Sequence, residues 1–206
     1  RLRMGTKFST RIWVSVVGIA SIFLGSKGYA DTVISVADFG LKPDTRENAV
    51  AYVQKAIEAC RGKEPVTLVF PEGRYDFWPQ YAHEKNYYET NTYDVFPKRL
   101  AMLFEGLHNI TVDGNGSQFV MHDRIQPITV ENCDGVTLKN FSIDWDIPLT
   151  AQARVTKVGS DFFEIEINVL ESPYIIEDGK LVFVGEGWKS ALGSMIEFES
   201  DTHFVV

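Results

Sequence analysis

The chain has 206 residues, and 20 Lys and Arg against 28 Asp and Glu give it a formal net charge of −8 at pH 7. This length suits one domain and part of a second. A surface this acidic repels a phosphate backbone, so nucleic acid is not expected among the partners. The sequence contains neither a CxxC pair nor an HExxH motif, and we therefore expect no bound metal.

Residues 1–30 have the order of a secretory signal peptide. A basic leader precedes an apolar run at residues 12–24, and Gly28-Tyr29-Ala30 offers small residues where signal peptidase cleaves. The run is shorter than the roughly 20 residues of a spanning helix, so we predict export and no stable membrane insertion after cleavage. The alternative is a retained membrane anchor. Cleavage removes five basic residues and no acid, which takes the charge from −8 to −13.

The segment after the signal alternates short strands with one helix. Residues 33–36 and 66–70 are rich in β-branched side chains and predict strands, and a further strand begins at 74–77. Between them, apolar residues recur at three- and four-residue steps over 45–60, which predicts an amphipathic helix with Asp44 as its N-cap.

Residues 78–98 break this rhythm and are interpreted as a long loop rich in aromatic side chains. Trp and Tyr combine an apolar ring with a polar edge, which matches the mixed surface of a sugar. The loop could therefore form a sugar platform, or its rings could pack over the helix and the strands. Its aromatic residues include Trp78, Tyr81, Tyr87, Tyr88 and Tyr93.

A repeat carries the architectural signal. Residues 104–112 align with residues 130–138 at a constant offset of 26, so that Ile110 falls on Val136 and Val112 on Leu138. A strand–turn–strand unit of this period buries its apolar face only by stacking on its neighbours, which predicts a solenoid of the parallel β-helix type. The alternative is two ordinary hairpins that happen to be alike.

The pattern of predicted strands changes at about residue 153. Residues 153–158 and 162–169 predict a hairpin whose second arm alternates apolar and acidic side chains, and residues 177–180 predict a turn before another strand. We expect the first coils of the solenoid at 31–152 and an antiparallel β module at 153–206. Because the last residues read as the middle of a strand, we expect the chain to be an N-terminal fragment of a longer protein.

Asp144 and Asp146 are the first candidates for catalysis. Residues two apart on a strand point to the same side at about 6.5 to 7 Å, which is within the separation that an inverting glycosidase needs between its two carboxyl groups. The more ordinary interpretation is an acidic strand end whose carboxylates are solvated or cap turns.

A second polar cluster follows the strand at residues 118–121. His122 could act as an acid or a base, and Arg124 could bind a sugar hydroxyl, although a turn held by hydrogen bonds is the more ordinary interpretation. The two cysteines, Cys60 and Cys133, make no disulfide framework, and two buried thiols are preferred to a bond between them.

Two resemblances add to these observations. The segments 36–44 and 68–75, with the helix between them, resemble the N-terminal cap of pectin-lyase-like right-handed parallel β-helices. This resemblance implies a mainly β fold with an N-terminal capping helix. It is specific for the fold and says little about the activity.

Residues from about 66 to 155 resemble the bacterial α-1,3-galactosidases of the blood-group-B type. That resemblance implies a secreted or periplasmic glycosidase that removes terminal α-1,3-linked galactose with inversion, using two carboxylates and no cofactor. Its β-helix carries β-rich insertions, and its catalytic carboxylates are expected beyond Val206, so we expect the fragment alone to be inactive. Residues that carry the resemblance include Tyr87, Tyr88, Asn91, Pro97, Lys98, Asp113, Gly114, Gly116, Phe119, His122, Arg124, Pro127, Asp144, Pro148 and Gln152.

The expected partner is therefore a galactose-containing glycan, and the predicted substrate-binding residues are Trp78, Tyr88, Asn91, His122 and Arg124. Two alternatives stay open. One is a pectin-lyase-like lyase or hydrolase acting on an acidic polysaccharide, which the negative charge disfavours because such enzymes usually need basic residues or calcium beside the substrate carboxylate. The other is a glycan-binding β-helix without activity.

Overall fold

The computed structural model describes residues 32–86 and 97–205. The predicted signal peptide and the predicted binding residues Tyr88 and Asn91 lie outside the described residues, as do Tyr87 and Tyr93. The described residues are mainly β, with one α-helix, one short 3-10 helix and thirteen strands. No helix among them is long and apolar enough to cross a membrane.

The elements before residue 146 are built mostly from short strands. They are β1 (Thr32–Ser35), the 3-10 helix Val36–Phe39, α1 (Val50–Cys60), β2 (Val66–Val69), β3 (Arg74–Phe77), β4 (His83–Lys85), β5 (Lys98–Glu105), β6 (His108–Met121), β7 (Gln126–Glu131) and β8 (Asp134–Trp145). The later elements are β9 (Arg154–Val158), β10 (Phe163–Glu166), β11 (Tyr174–Glu177), β12 (Lys180–Gly185) and β13 (Trp188–Ala191).

The predicted start of the helix is wrong by five residues. Asp44 and Arg46 have left-handed backbones, with φ of 62° and 61°, which no right-handed helix accommodates. Asp44 instead accepts a hydrogen bond from the backbone N–H of Arg74 at 2.9 Å. Asn48 serves the helix start, since its Oδ1 accepts from the N–H of Val50 at 3.1 Å.

The predicted loop at residues 78–98 contains a strand. β4 pairs antiparallel with the beginning of β5, with His83 opposite Leu100 and Lys85 opposite Lys98. The three residues of β4 are all polar, and none is buried, so the sequence shows no hydrophobic period there. β4 is an edge strand of its sheet, beside β5.

The 26-residue offset of the repeat is confirmed. β6 pairs with β8 in parallel, with Ile110 opposite Val136 and Val112 opposite Leu138, and the offset is kept along the first half of both strands. β5 pairs with β7 in parallel at the same offset, since Phe104 lies opposite Val130. The two copies are therefore stacked neighbours, and the interpretation as two separate hairpins is wrong.

Parallel pairing extends through the stack. The sheet order is β1-β2-β6-β3 with β8 on the other edge of β6, and all these pairs are parallel. Phe119 lies at the centre of its core: its ring stacks on Phe141 at 4.8 Å and meets Phe70 at 4.7 Å. α1 packs its apolar face on this core through Val53, Ala56 and Ile57, all buried.

The later residues pair antiparallel, as predicted. β9 and β10 form the expected hairpin, and β11, β12 and β13 form a meander with a turn at Asp178-Gly179. Cys60 and Cys133 are both free thiols. Cys60 is buried as expected, whereas Cys133 is only half-buried, with its Sγ 3.3 Å from the carbonyl oxygen of Phe104.

Candidate functional site

A buried histidine lies at the centre of the candidate site. His122 directly follows β6, and its imidazole is only 3% exposed. Nε2 lies 2.9 Å from Oδ1 of Asp76, and Nδ1 lies 2.8 Å from Oε2 of Glu186. Since an ionised carboxylate only accepts hydrogen bonds, the ring satisfies both neighbours when both nitrogens donate, which is the protonated form of histidine.

The parallel strands bring these groups together. Phe77 of β3 lies opposite Met121 of β6, which places Asp76 beside His122. The next strand ends one residue before Asp146, whose backbone N–H donates to the carbonyl of Met121 at 3.1 Å. The strand ends of β3, β6 and β8 therefore contribute one polar side chain each to the same place.

Two arginines complete the charge balance. Nη2 of Arg74 lies 2.6 Å from Oδ1 of Asp76 and 2.7 Å from Oδ1 of Asp146. Arg46 lies 3.6 Å from both carboxylates and is largely exposed. Arg74 and Arg46 therefore place two positive charges against the carboxylates of Asp76 and Asp146, and His122 bridges Asp76 to Glu186.

Both aspartates of this network are held in the ionised form. Burial raises the pKa of Asp76, but hydrogen bonds from Arg74 and His122 outweigh it, and the net pKa is below the ordinary value. The hydrogen bond from Arg74 likewise lowers the pKa of Asp146. Neither carboxyl group is therefore suited to donate a proton at neutral pH.

Three residues of the network also carry the kinds of ligand atom that a metal site needs. Asp76, His122 and Asp146 each offer one ligand atom, and these atoms lie within 4.8 Å of one another. The guanidinium of Arg74 already occupies both carboxylates, and a metal ion there would have to displace it. The donor set therefore fits an ion-pair network better than a metal ion.

Trp78 connects the network to the surface. Its ring lies parallel to the imidazole of His122, with 3.8 Å between centroids and 11° between planes. Asn48 holds its backbone from the other side, because the Asn48 side chain accepts from the N–H of Trp78 at 3.2 Å and donates to the Gln80 carbonyl at 2.8 Å. The indole is thus fixed through both its ring and its main chain.

A groove of about 500 Å³ opens beside Trp78. It combines aromatic walls with charged groups, including Glu84 and Arg99, which form an ion pair at 3.3 Å. Tyr81 is 64% exposed and has a left-handed backbone with φ of 70°. The residues that line the groove are Trp78, Pro79, Gln80, Tyr81, Ala82, Glu84, Arg99 and Asp123.

The structure gives Asp144 and Asp146 different surroundings. Asp144 is exposed, and its Oδ1 accepts from the backbone N–H of Trp145 at 2.8 Å. Asp146 lies beyond the end of β8 and binds Arg74. Trp145 between them is half-buried and donates from Nε1 to the carbonyl of Asp123 at 3.2 Å.

Of the predicted binding residues, Trp78 and His122 are brought into contact, and Arg124 is exposed. Sequence reasoning missed five members of the site. The alternation of Arg74 and Asp76 in a four-residue strand could have indicated two polar side chains on one face. The other three carried no detectable signal, because they reach the site only through tertiary contacts. The missed residues are Arg46, Asn48, Arg74, Asp76 and Glu186.

Comparison with known proteins places this geometry in context. The family described as GLAA-B beta-barrel domain I matches residues 151–206. The chain is 60% identical over 177 residues, 86% of its length, to alpha-1,3-galactosidase B of Bacteroides thetaiotaomicron. It is 36% identical over 169 residues, 81% of its length, to alpha-1,3-galactosidase A of Shewanella woodyi.

A third relative, alpha-1,3-galactosidase B of Phocaeicola vulgatus, is 35% identical over 199 residues, 95% of this chain. The alignments cover 29%, 28% and 31% of these three relatives, so the chain spans about three tenths of their length.

Proposed function

We propose, on the premise that this chain belongs to the α-1,3-galactosidase family, that it is part of a glycoside hydrolase that removes terminal α-1,3-linked galactose from glycans. The observation that carries the proposal is the 60% identity over 177 residues to a protein named for that activity. The substrate partner would be a galactose-containing glycan, and the site requires no cofactor for hydrolysis by acid–base chemistry.

The mechanism we propose is inverting. One carboxylic acid protonates the leaving oxygen while a carboxylate activates water on the opposite face of the sugar. Asp76 and Asp146 do not suit the acid role, because Arg74 keeps both ionised. We therefore place the catalytic pair in the part of the family sequence that this chain does not cover, with the present residues forming a wall of the cleft.

We further propose that residues 31–152 are the first coils of a right-handed parallel β-helix with α1 as its cap. Support comes from parallel pairs at a 26-residue offset in β5–β7 and the first half of β6–β8, and from the stacked rings of Phe119 and Phe141 in the paired strands β6 and β8. A β module at 153–206 would then be an insertion between coils, which agrees with its antiparallel pairing.

The groove beside Trp78 is the proposed contact with the glycan. A sugar ring places its apolar face on an aromatic side chain and its hydroxyls toward charged groups. Trp78 and Tyr81 supply the aromatic faces, and the ion pair of Glu84 and Arg99 supplies acceptors and donors. This arrangement suits neutral sugars, since the pair carries no net charge.

We propose that the protein works outside the cytoplasm, in the periplasm, at the cell envelope or in the medium of a bacterium. Support comes from the basic, apolar and small-residue order of residues 1–30. A fusion of these residues to a reporter enzyme that is active only after export would test this directly.

The central experiment is a hydrolysis assay. The full-length product of the gene, lacking residues 1–30, is incubated with an α-1,3-linked galactoside, an α-1,4-linked galactoside and a uronate polymer. We expect galactose release from the first substrate, and NMR of the fresh product should show the β-anomer of galactose. Release only from the α-1,4 linkage or cleavage only of the uronate polymer would refute the proposed specificity.

Trp78→Ala tests the groove in the same assay. We expect KM to rise by about two- to tenfold, because stacking of aromatic rings contributes about 0.5–1.5 kcal/mol beyond the burial of their area. Tyr174→Ala, in the antiparallel module and 40% exposed, is the matched control and should leave KM unchanged.

A further inference from the structure

We propose that Glu186 is a positioning residue that sets the orientation of Trp78 through His122. The antiparallel module would thereby shape the aromatic wall of a groove to which Glu186 itself does not belong. The inference rests on the proposed function in one respect, namely that the groove beside Trp78 takes a sugar.

The first step is the fixing of the imidazole. His122 is held at Nε2 by Asp76 at 2.9 Å and at Nδ1 by Glu186 at 2.8 Å. Rotation of the ring about its bond to Cβ breaks both hydrogen bonds at once. With Asp76 alone, the ring would keep one anchor and could pivot about it.

The second step is the transfer of this order to Trp78. The two rings are parallel and 3.8 Å apart, so a tilt of the imidazole removes the flat surface on which the indole rests. Asn48 fixes the main chain of Trp78 but leaves its side-chain torsions free. The orientation of the indole in the groove therefore depends on the imidazole plane.

The third step is the placement of Glu186. It lies in the turn between β12 and β13, and its side chain is 32% exposed, so it approaches His122 from the module side. The same turn also comes close to Asp123 at Gly187, whose φ is 72° and where a Cβ would overlap the Asp123 carboxylate. Asp123 lines the groove, so the turn meets the groove wall at Gly187 and the histidine behind Trp78 at Glu186.

The alternative is that Glu186 only staples the module to the first coils. A staple predicts a loss of stability without an effect on Trp78, whereas a positioning residue predicts a change in the environment of Trp78 in the folded protein. The two are separable because the β11–β13 meander has its own surface ion pair, Glu177 with Lys189 at 3.0 Å, which shares no residue with the His122 network.

The experiment compares Glu186→Ala, Glu186→Gln and the control Glu177→Gln in the full-length protein. The Trp78 signal is obtained as the difference in fluorescence and near-ultraviolet circular dichroism between each protein and its Trp78→Phe counterpart. Binding of methyl α-galactoside is measured by calorimetry on the same samples.

We expect Glu186→Ala to shift the Trp78 signal and to raise the Kd of the galactoside by about tenfold, the effect of losing one hydrogen bond of ordinary strength. Glu186→Gln keeps an acceptor for Nδ1 and should raise the Kd by only about threefold. Glu177→Gln should change neither quantity. The kcat should fall less than kcat/KM, since Trp78 contacts the substrate away from the reacting bond.

An unchanged Trp78 signal in a folded Glu186→Ala protein would overturn the inference, whether or not binding is weakened. A shifted Trp78 signal in a protein that binds and cleaves no galactoside would uphold the positioning of Trp78 by Glu186 and refute the proposed function instead.

Discussion

Nη2 of Arg74 donates to Oδ1 of Asp146 at 2.7 Å, which joins two residues that are 72 positions apart in the chain. The same nitrogen lies 2.6 Å from Oδ1 of Asp76, which is two residues further along the same strand. Arg74 therefore connects Asp76 on β3 to Asp146, which follows β8. His122 lies between them, at the end of β6. This connection links the charged side chains at the ends of three parallel strands.

Replacement of Asp76 should be the most damaging change in this network. Its side chain is fully buried and accepts from Arg74 and His122, so Asp76→Asn leaves the Arg74 guanidinium and the His122 ring facing a neutral amide. We expect a loss of about 3–5 kcal/mol in the free energy of unfolding, as for removal of one partner of a buried pair. Urea unfolding followed by circular dichroism measures it.

Asp144→Asn is the control for Asp76→Asn. Asp144 is exposed and bonds only locally to the N–H of Trp145, so its replacement should change stability by no more than about 0.5 kcal/mol. Equal losses for the two variants would contradict the assignment of the charge balance to Asp76.

The network should also give the protein a specific acid sensitivity. Hydrogen bonds from Arg74 lower the pKa of Asp146 relative to the unfolded chain, and they contribute to the lowered pKa of Asp76. A lowered carboxyl pKa adds stability above the unfolded value of about 3.9, and this stability is lost as the pH falls through the folded value.

We therefore expect the melting temperature to fall as the pH is lowered from about 5 to 2, and Asp146→Asn to flatten part of that fall. Differential scanning fluorimetry over this range is the measurement. Glu164→Gln, which removes one partner of an exposed ion pair with Lys157, serves as control and should leave the slope unchanged. A slope identical in wild type and Asp146→Asn would show that Asp146 is not stabilised by Arg74.

Whether a feature could be predicted from the sequence depends on how far apart in the chain its interacting residues are. The 26-residue offset was readable because stacking repeats the same environment for Ile110 and Val136, and selection for one core leaves a periodic record. The start of α1 could not be predicted in this way. The left-handed turns at Asp44 and Arg46 depend on β3, which follows almost thirty residues later.

The site shows the same division. Strand alternation predicted that Asp144 and Asp146 point to the same side, but it could not show that Asp146 lies past the strand end and binds Arg74. Trp78 and His122 were each chosen for their chemistry, and their contact became visible only in three dimensions. Glu186 was invisible because a turn between two strands of another module delivers it.

The close approach of β6 and β8 leaves no room for a side chain at Gly114. A Cβ at Gly114 would lie 2.5 Å from Cβ of Phe141 and 2.7 Å from the carbonyl oxygen of Asn140. Because the second atom belongs to the backbone, it cannot move without shifting the strand. We expect Gly114→Ala to cost about 1–3 kcal/mol of stability, measured by urea unfolding.

Gly193→Ala is the control for Gly114→Ala, since a Cβ there meets its nearest neighbour, the carbonyl oxygen of Ala191, only at 4.0 Å. It should leave the unfolding midpoint within experimental error. If Gly114→Ala were equally harmless, the parallel pairing of β6 and β8 in this register would be wrong.

The two cysteines should differ sharply in reactivity. Burial raises the pKa of the Cys60 thiol to about 11, with smaller effects from Lys63 and Glu64, and this last residue of α1 is fully buried. Because the thiolate is the reactive form, Cys60 should resist iodoacetamide at pH 8 in the folded protein. Half-buried Cys133 should be modified first, and mass spectrometry of the digested protein distinguishes the two sites. In urea both should react at similar rates, since the burial that protects Cys60 is then removed; rapid labelling of Cys60 before unfolding would show that α1 detaches from the core.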